Sequence, residues 1–398
     1  MIVKKNKTKN KPVEKSKAKL SSVKKTAVNK ITLKKTKPKV SSKTKIKKVI
    51  KKSVLEKISP VVKLQKSLHN PIISPSFYPW ETKATFNPAA FEFNGKVYLL
   101  YRAIGEDDSS VLGYASSYDG LRIGDRPTYC VYKRYLNNAE KRGASIDYIS
   151  GGGWSGGCED PRLSLIGDTL YMLYTAFDGW SSVRIAMTSI LLKDFRKKRW
   201  NWEKPVLISP PGEINKNWVI FPEKINGKFA ILHSITPDIL IDYFDDLKEL
   251  DGNNFIKSNY KNKPNWKHSW DNMVRGVGPT PIKTEFGWLV LYHSMDKNDP
   301  NRYKLGAMIL DENNPTKILY KSENPILEPE EDYENNGIAR GVVYSCGAVV
   351  KDGELFVYYG GADKFVCVAS MPLKELLEDL IQKKPAKLKK EKKLPVVK

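Results

Sequence analysis

Cysteine is scarce in this chain of 398 residues. The four present, Cys130, Cys158, Cys346 and Cys367, form no CxxC pair and have no histidine at ligand spacing. That excludes a zinc framework and a disulfide-stapled scaffold, and makes a reduced, cytoplasmic protein the expectation. Long apolar runs are missing as well. None reaches about 18 residues, which excludes a membrane-spanning helix, and no apolar stretch of the kind a secretory signal needs follows the N-terminal lysines. The two ends are poor in acidic residues. Residues 1–60 hold 22 Lys, no Arg and only Glu14 and Glu56, a net of +20, and residues 383–398 hold eight Lys and Glu391, a net of +7. With both ends taken off the total of +24, residues 61–382 are left at −3. The isoelectric point of ≈ 9.5 therefore belongs to the ends, and bulk charge does not mark the middle as a nucleic-acid binder.

Residues 1–58 also lack glycine and aromatic side chains. Such a segment buries too little apolar surface to offset its chain entropy, so a disordered, solubilising tail is expected. Lysine without arginine or aromatics offers charge but neither stacking nor two-pronged base contact. Any attachment of the tails to nucleic acid or an anionic membrane is thus expected to be weak, non-specific and salt-sensitive. The expected organisation is a Lys-rich tail over 1–60, one folded domain over 61–382 and a second Lys-rich tail over 383–398.

The middle is rich in what the ends lack. Short runs of Val, Ile, Tyr and Phe are cut by tight-turn dipeptides, and one pattern returns five times: NPAAFEFNGKVYLLYRAI, EDPRLSLIGDTLYMLYTAF, VIFPEKINGKFAILHSI, PTPIKTEFGWLVLYHSM and SCGAVVKDGELFVYYGGAD. Each is a strand, a turn and a strand ending in aromatics. The turns are Asn94-Gly95, Gly167-Asp168, Asn226-Gly227, Phe286-Gly287 and Asp352-Gly353; several suit primed hairpin turns. Further strands follow at 111–117, 183–189, 303–310 and 364–370. The spacing from turn to turn, about 58 to 73 residues, indicates a repeat architecture. Five four-stranded blades use about 300–320 residues, so the spacing predicts an all-β five-bladed propeller; a β-sandwich would not need five similar hairpins. Apolar residues at helical spacing predict one helix, over 373–383, capping the propeller.

Residues 126–157 break the rhythm and read as a rim loop. Its SGGGWSGG run lacks the GxxxxGKS spacing of a phosphate loop, and no long helix follows. Trp154, Trp180, Trp218, Trp266 and Trp270 fall in loop-like segments, where they either pack or stack on sugar rings. Cys158 has no base partner at useful spacing, against a thiol nucleophile.

In a propeller the inner strands line a channel, so the repeat starts are where chemistry is expected. They carry Asn87, Glu159-Asp160-Pro161-Arg162 and Glu223, with Asp363 at the end of the last hairpin; Arg102, His233 and His293 close hairpins. An apolar strand does not need a carboxylate at its start. Acids converging from different blades suit a sugar site, where a carboxylic acid protonates a leaving oxygen.

With EDPR, FPEKINGK and YYGGAD in this order and the trailing helix, residues 70–380 resemble glycoside hydrolase family 130, the β-mannoside phosphorylases and related β-mannosidases on a five-bladed propeller. The resemblance implies a β-mannoside oligosaccharide as substrate, cleaved with inversion by phosphorolysis to mannose 1-phosphate or by hydrolysis. It implies Asp160 as general acid, its proton travelling through a sugar hydroxyl, and Asn87, Arg102 and Asp363 as sugar-holding residues, with Arg162 beside them. His293 matches a histidine near the anion site, and Lys216 falls near a phosphate cation. Two positions depart from the phosphorylases. Ser234 follows His233 where an arginine is usual, and Val274 stands where a lysine is usual, with Arg275 one step along. Phosphate recognition wants several fixed cations, so Lys216, Arg275 and His293 are the phosphate candidates and Glu223 the candidate base for a hydrolase, with Asp238 and Asp271 as further acids. Furanosidase-type five-bladed propellers use an acid in each of the first three blades. Asn87 cannot act as nucleophile or base, which favours the mannoside reading. No metal or organic cofactor is implied, only inorganic phosphate as co-substrate. A homo-oligomer stays open. The alternatives are a non-catalytic carbohydrate-binding propeller that has lost its nucleophile side, and a scaffold docked by its lysine tails.

Overall fold

The computed structural model describes residues 62–133, 156–177, 183–258 and 270–382. The Lys-rich ends, most of the 126–157 insertion, and Trp154, Trp180 and Trp266 lie outside the described residues.

The described chain is all-β with three α-helices. β1 (Gln65–Lys66), β2 (Ala84–Phe93), β3 (Lys96–Ile104) and β4 (Ser110–Ser117) are followed by β5 (Gly157–Ile166), β6 (Thr169–Phe177), β7 (Val183–Leu191), α1 (Leu192–Arg196) and β8 (Val206–Leu207). Next come β9 (Val219–Ile220), β10 (Phe229–Ser234) and β11 (Leu240–Phe244), then β12 (Met273–Val277), β13 (Ile282–Thr284), β14 (Gly287–Asp296), β15 (Asp299–Leu310) and β16 (Ile318–Lys321). The chain closes with α2 (Asp332–Asn335), β17 (Val343–Lys351), β18 (Glu354–Gly361), β19 (Phe365–Pro372) and α3 (Leu373–Gln382). The strands expected at 111–117, 183–189, 303–310 and 364–370 are β4, β7, β15 and β19. The helix expected at 373–383 is α3; α1 and α2, a turn or so each, escaped the periodicity because one turn shows no period.

The turns form for a local reason. Asn94 and Gly95, Asn226 and Gly227, and Asp352 and Gly353 all have positive φ at both positions, the backbone of a type I′ turn, whose twist matches that of the flanking strands. Strand order within the sheets is antiparallel and sequential: β9 to β11 form one sheet, and β12 and β13 pair with β14, which leads to β15 and β16. The sheet running from β2 to β8 is held across its middle by a single parallel pair, Ser110 with Gly157. The last sheet joins the two ends of the described chain, because β1 pairs with β19 beside β18 and β17.

Apolar side chains meet between sheets rather than in one centre. Leu100 and Tyr114 pack with Met172, Ala186 and Phe195. Leu173 and Ile185 pack with Trp218, Ile220 and Ile231. Val219 and Leu232 pack with Val290 and Met308. Leu291 and Ile309 pack with Val357 and Ala369, and Leu376, Leu377 and Leu380 of α3 enter that cluster. Tyr358 and Val368 pack with Leu99 and Ala115. Burying a Leu-sized side chain is worth about 1.5–3 kcal/mol, so these five clusters carry the stability and leave the strand ends free for polar residues.

Candidate active site

The site begins with two broken ladders. Phe86 pairs with Arg102 and Ala89 with Leu100, so Asn87 and Pro88 together face only Tyr101. Glu159 pairs with Thr175 and Arg162 with Leu173, so Asp160 and Pro161 together face only Tyr174. Proline has no N–H to give the ladder, so an Asn-Pro or Asp-Pro step inside a strand forces a bulge there. Asn87 and Asp160 take up the strain with φ of 46° and 48°, a region short polar residues tolerate best. In a regular strand, neighbours point to opposite faces. The bulge cancels that rule and brings Glu159 and Asp160 to one arginine.

Asp160 is buried. Its Oδ1 accepts from Asn87 Nδ2 at 2.9 Å and from Arg102 Nη1 at 3.2 Å. Arg102 Nη2 donates to Glu159 Oε1 at 2.8 Å, and its Nε donates to Ser110 Oγ at 2.9 Å. Its guanidinium also lies 4.8 Å from the centre of the Phe86 ring. Arg102 thus forks two buried carboxylates. Lys216 Nζ stands 3.7 Å from Glu159 Oε2. Burial works against the charge on Asp160, but Arg102, Arg162, Lys216 and the Asn87 amide outweigh it and hold its carboxyl below the usual range. Asp363, with φ of 52°, is pushed the other way, up to about 6, by burial and then by the Asp160 charge, against Arg102 and Lys216. Burial also lowers Lys216, with Glu159 and Asp160 opposing and Arg102 and Arg162 assisting.

A second network lies against the first. Arg162 Nη1 donates to the Asp160 carbonyl at 2.7 Å, its Nε to the Gly278 carbonyl at 3.3 Å, and its Nη2 to Asn217 Oδ1 at 2.8 Å and to the Tyr344 hydroxyl at 3.3 Å. Every nitrogen of this guanidinium therefore already donates to a protein acceptor, one of them the backbone of Asp160. Asn217, with φ of 64°, donates its Nδ2 to the Arg275 carbonyl at 2.9 Å. The His293 ring stacks on Tyr344 at 4.0 Å, and its Nε2 accepts from the Ser345 N–H at 2.9 Å. Burial and the Arg162 charge lower His293 to about 3, so the ring is neutral with its proton on Nδ1. That buried Nδ1 meets no partner among the described residues, and neither does Asn87 Oδ1.

Several expected site residues lie elsewhere or do something else. Glu223 is exposed, in the turn between β9 and the Ile225–Lys228 bridge; it does not join the cluster, which corrects its reading as a base. The FPE run extends the third hairpin, and the residue at that repeat's inner end is Asn217. Asp238 is exposed too. Asp271 is buried, bound by the Tyr292 hydroxyl at 2.7 Å and by Lys321, so it serves packing between strands. His233 is buried against Trp218 and shares a hydrogen bond with Ser258 at 3.0 Å. Arg275 is exposed and donates its Nε to the Tyr303 hydroxyl at 2.7 Å; it occupies the bulge of its own strand, between Val274 and Gly276. Trp218 is fully buried in an apolar cluster and Trp270 stacks on Tyr292, which assigns both to packing. Arg162 holds the backbone of Asp160. Sequence reasoning missed Asn217, Tyr344 and Ser110, and the grip of Glu159 on Arg102. The one available signal was Asn217, a polar residue opening an apolar run as Asn87 does. Among the described residues, no group of three or more His, Cys, Asp or Glu is placed to hold a metal.

Comparison with known proteins gives consistent matches. A family model described as beta-1,4-mannooligosaccharide phosphorylase, glycoside hydrolase family 130, matches residues 45–382. A 1,2-beta-oligomannan phosphorylase from Thermoanaerobacter sp. (strain X514) is 38% identical over 312 residues, covering 75% of this chain and 93% of the relative. A beta-1,2-mannobiose phosphorylase from the same organism is 36% identical, covering 76% and 94%. Among solved structures, the beta-1,2-mannobiose phosphorylase of Listeria innocua in complex with beta-1,2-mannobiose superposes with a TM-score of 0.62 at 27% identity, covering 80% of this chain and 99% of that one.

Proposed function

The chain belongs to glycoside hydrolase family 130, and from that premise we propose that it cleaves β-1,2-linked mannosides by phosphorolysis, with inversion, releasing mannose 1-phosphate. It is an enzyme acting on β-mannosides. The observation that carries the finer reading is the buried Asn87–Asp160–Arg102–Glu159 cluster, with Lys216 beside it. It supplies one acid and a cationic flank, which is what direct displacement by an anion requires. The β-1,2 linkage follows the two Thermoanaerobacter relatives.

In this mechanism a phosphate oxygen bonds to the anomeric carbon from the face opposite the leaving sugar. The glycosidic bond breaks, its electron pair goes to the leaving oxygen, and that oxygen takes the proton of Asp160 directly or through a hydroxyl of the bound sugar. Asp160 is held ionised in the free protein. A phosphate anion beside Lys216 offsets part of the positive field responsible, so the acid form of Asp160 becomes available as the nucleophile arrives. Asn87 Oδ1, buried and unmatched among the described residues, accepts a sugar hydroxyl, and Asp363 grips the same sugar. Arg102 acts on the sugar through Asp160 and Glu159, and Arg162 through the Asp160 backbone. Lys216, the neutral Nδ1–H of His293 and, at the surface, Arg275 form the phosphate side. Inorganic phosphate is a co-substrate; no further group enters a step.

We also read the five inter-sheet clusters as interfaces of a five-bladed propeller spanning residues 61–382, closed by β1 on β19 and capped by α3. The circular sequence of those clusters supports this count, each joining one hairpin group to the next and the last returning to the first.

The test is incubation with β-1,2- and β-1,4-mannobiose, with and without phosphate. Phosphate-dependent mannose 1-phosphate from the β-1,2 substrate is expected. Free mannose as the main product without phosphate would replace phosphorolysis by hydrolysis.

A further inference from the structure

Glu159 is fully buried, yet it faces two cations, one on β3 and one on the loop before β9. Oε1 accepts from Arg102 Nη2 at 2.8 Å, and Oε2 lies 3.7 Å from Lys216 Nζ. Lys216 has only 19% of its side chain exposed, at the end of the loop that leads into Asn217 and β9. An ammonium there is costly unless carboxylates face it. The charged groups facing it are Glu159, Asp160 and Arg162 on β5, Arg102 on β3 and Asp363 after β18. Asp160 is committed to Arg102 and Asn87, and Asp363 is the carboxyl kept protonated longest, up to about 6. Glu159 thus lies in ion-pair range of Lys216 with an oxygen to spare from Arg102.

We propose that Glu159 is a positioning residue for the phosphate co-substrate: it holds the Lys216 ammonium beside the acid and keeps it charged, without itself touching phosphate or sugar. The proposal rests on the phosphorolysis reading above. Removing the carboxylate has two opposed consequences. It takes a negative charge away from an anion site, which favours phosphate. It also takes away the largest influence that opposes burial at Lys216, so the ammonium is lost at a lower pH than in the parent protein. The first effect operates at every pH, the second only where Lys216 deprotonates. A crossover follows, which loss of shape alone would not give.

Phosphate affinity is measured by calorimetry on the full chain and on Glu159→Gln, at about pH 6.5 and about pH 9. Near the lower pH the two proteins bind within a few-fold of each other. Near the higher one the variant binds more weakly than the parent, by a factor well beyond any difference at the lower pH, because more of its Lys216 has lost the proton. The ionisation of phosphate itself is common to both proteins and cancels in the ratio. Adding Lys216→Arg to the variant, a cation that keeps its proton, restores binding at the higher pH. If Glu159→Gln fails to fold by its melting curve, Glu159→Asp is used, which retains the charge one methylene further away and gives the same crossover in smaller measure. A ratio that stays flat across the two pH values, with the parent protein binding phosphate, overturns the role of Glu159 and leaves phosphorolysis standing. A parent protein that binds no phosphate and releases free mannose overturns both.

Discussion

Asp160 and Asp363 both sit on left-handed backbone, at φ of 48° and 52°, and both feel the charge of Arg102. They are nevertheless driven apart. Asp160 receives an amide and a guanidinium hydrogen bond and stays ionised. No described residue donates to the carboxylate of Asp363, which is left with burial and the neighbouring negative charge and rises to about 6. At Asp160 the Arg102, Arg162 and Lys216 charges, joined by the Asn87 amide, outweigh burial, whereas at Asp363 burial and the Asp160 charge outweigh Arg102 and Lys216. Two acids pushed in opposite directions are the arrangement by which a site assigns its acid and its sugar grip.

The comparison breaks most severely at Asp160. Asp160→Asn keeps the acceptor geometry but has no proton to give, so mannose 1-phosphate release is expected to fall by about 10²–10⁴-fold while the melting temperature holds. Near-parental turnover would remove Asp160 as the acid. Next in size is the frame beneath it. A methyl group at Gly276 would meet Asn217 Nδ2 at 2.6 Å on backbone with φ of +130°. Gly276→Ala should cost about 2 kcal/mol or more in urea unfolding and loosen Arg162 through Asn217.

Asp363→Asn sharpens the other half of the contrast. Its folded pKa is raised above the ordinary 3.8, to about 6, so the folded state holds the proton longer than the unfolded one. Asp363 therefore costs no stability below about pH 4 and an increasing amount as pH rises through about 6. The variant should be more stable than the parent by about 1–3 kcal/mol near pH 8, with the gain vanishing below about pH 4; equal curves at both pH values would mean the carboxyl is ionised like any exposed one. The smallest effect belongs to the exposed carboxylate of the third hairpin. Glu223→Gln should leave the rate within about twofold and stability within about 0.5 kcal/mol, whereas a large loss of rate would return it to the site.

Much of this was legible in the sequence where the determinants are local. NG and DG dipeptides carry positive φ cheaply, alternation marks the strands, and the apolar spacing of 373–383 foretells α3. Asn87-Pro88 and Asp160-Pro161 could be picked out because a proline inside an apolar strand needs a reason. FPE at 221–223 misled for the same cause: its proline and acid imitate EDP, but Pro222 stands four residues before its turn where Pro88 and Pro161 stand six before theirs, which places it towards the turn end of the hairpin. Nothing local distinguishes an arginine that binds sugar from one whose donors are spent on protein, as those of Arg102 and Arg162 are.

The chain's own order of residues determined a set of repeated hairpins, an acid inside an Asp-Pro step and a cationic flank, because turns, alternation and proline act within a few residues. Only the tertiary structure decided that Glu159 and Asp160 share one arginine, that Asp363 is the carboxyl starved of donors, and that Glu223 faces water. Those outcomes depend on solvent access and on partners as distant as Arg162 and Gly278, 116 residues apart, which no local pattern encodes.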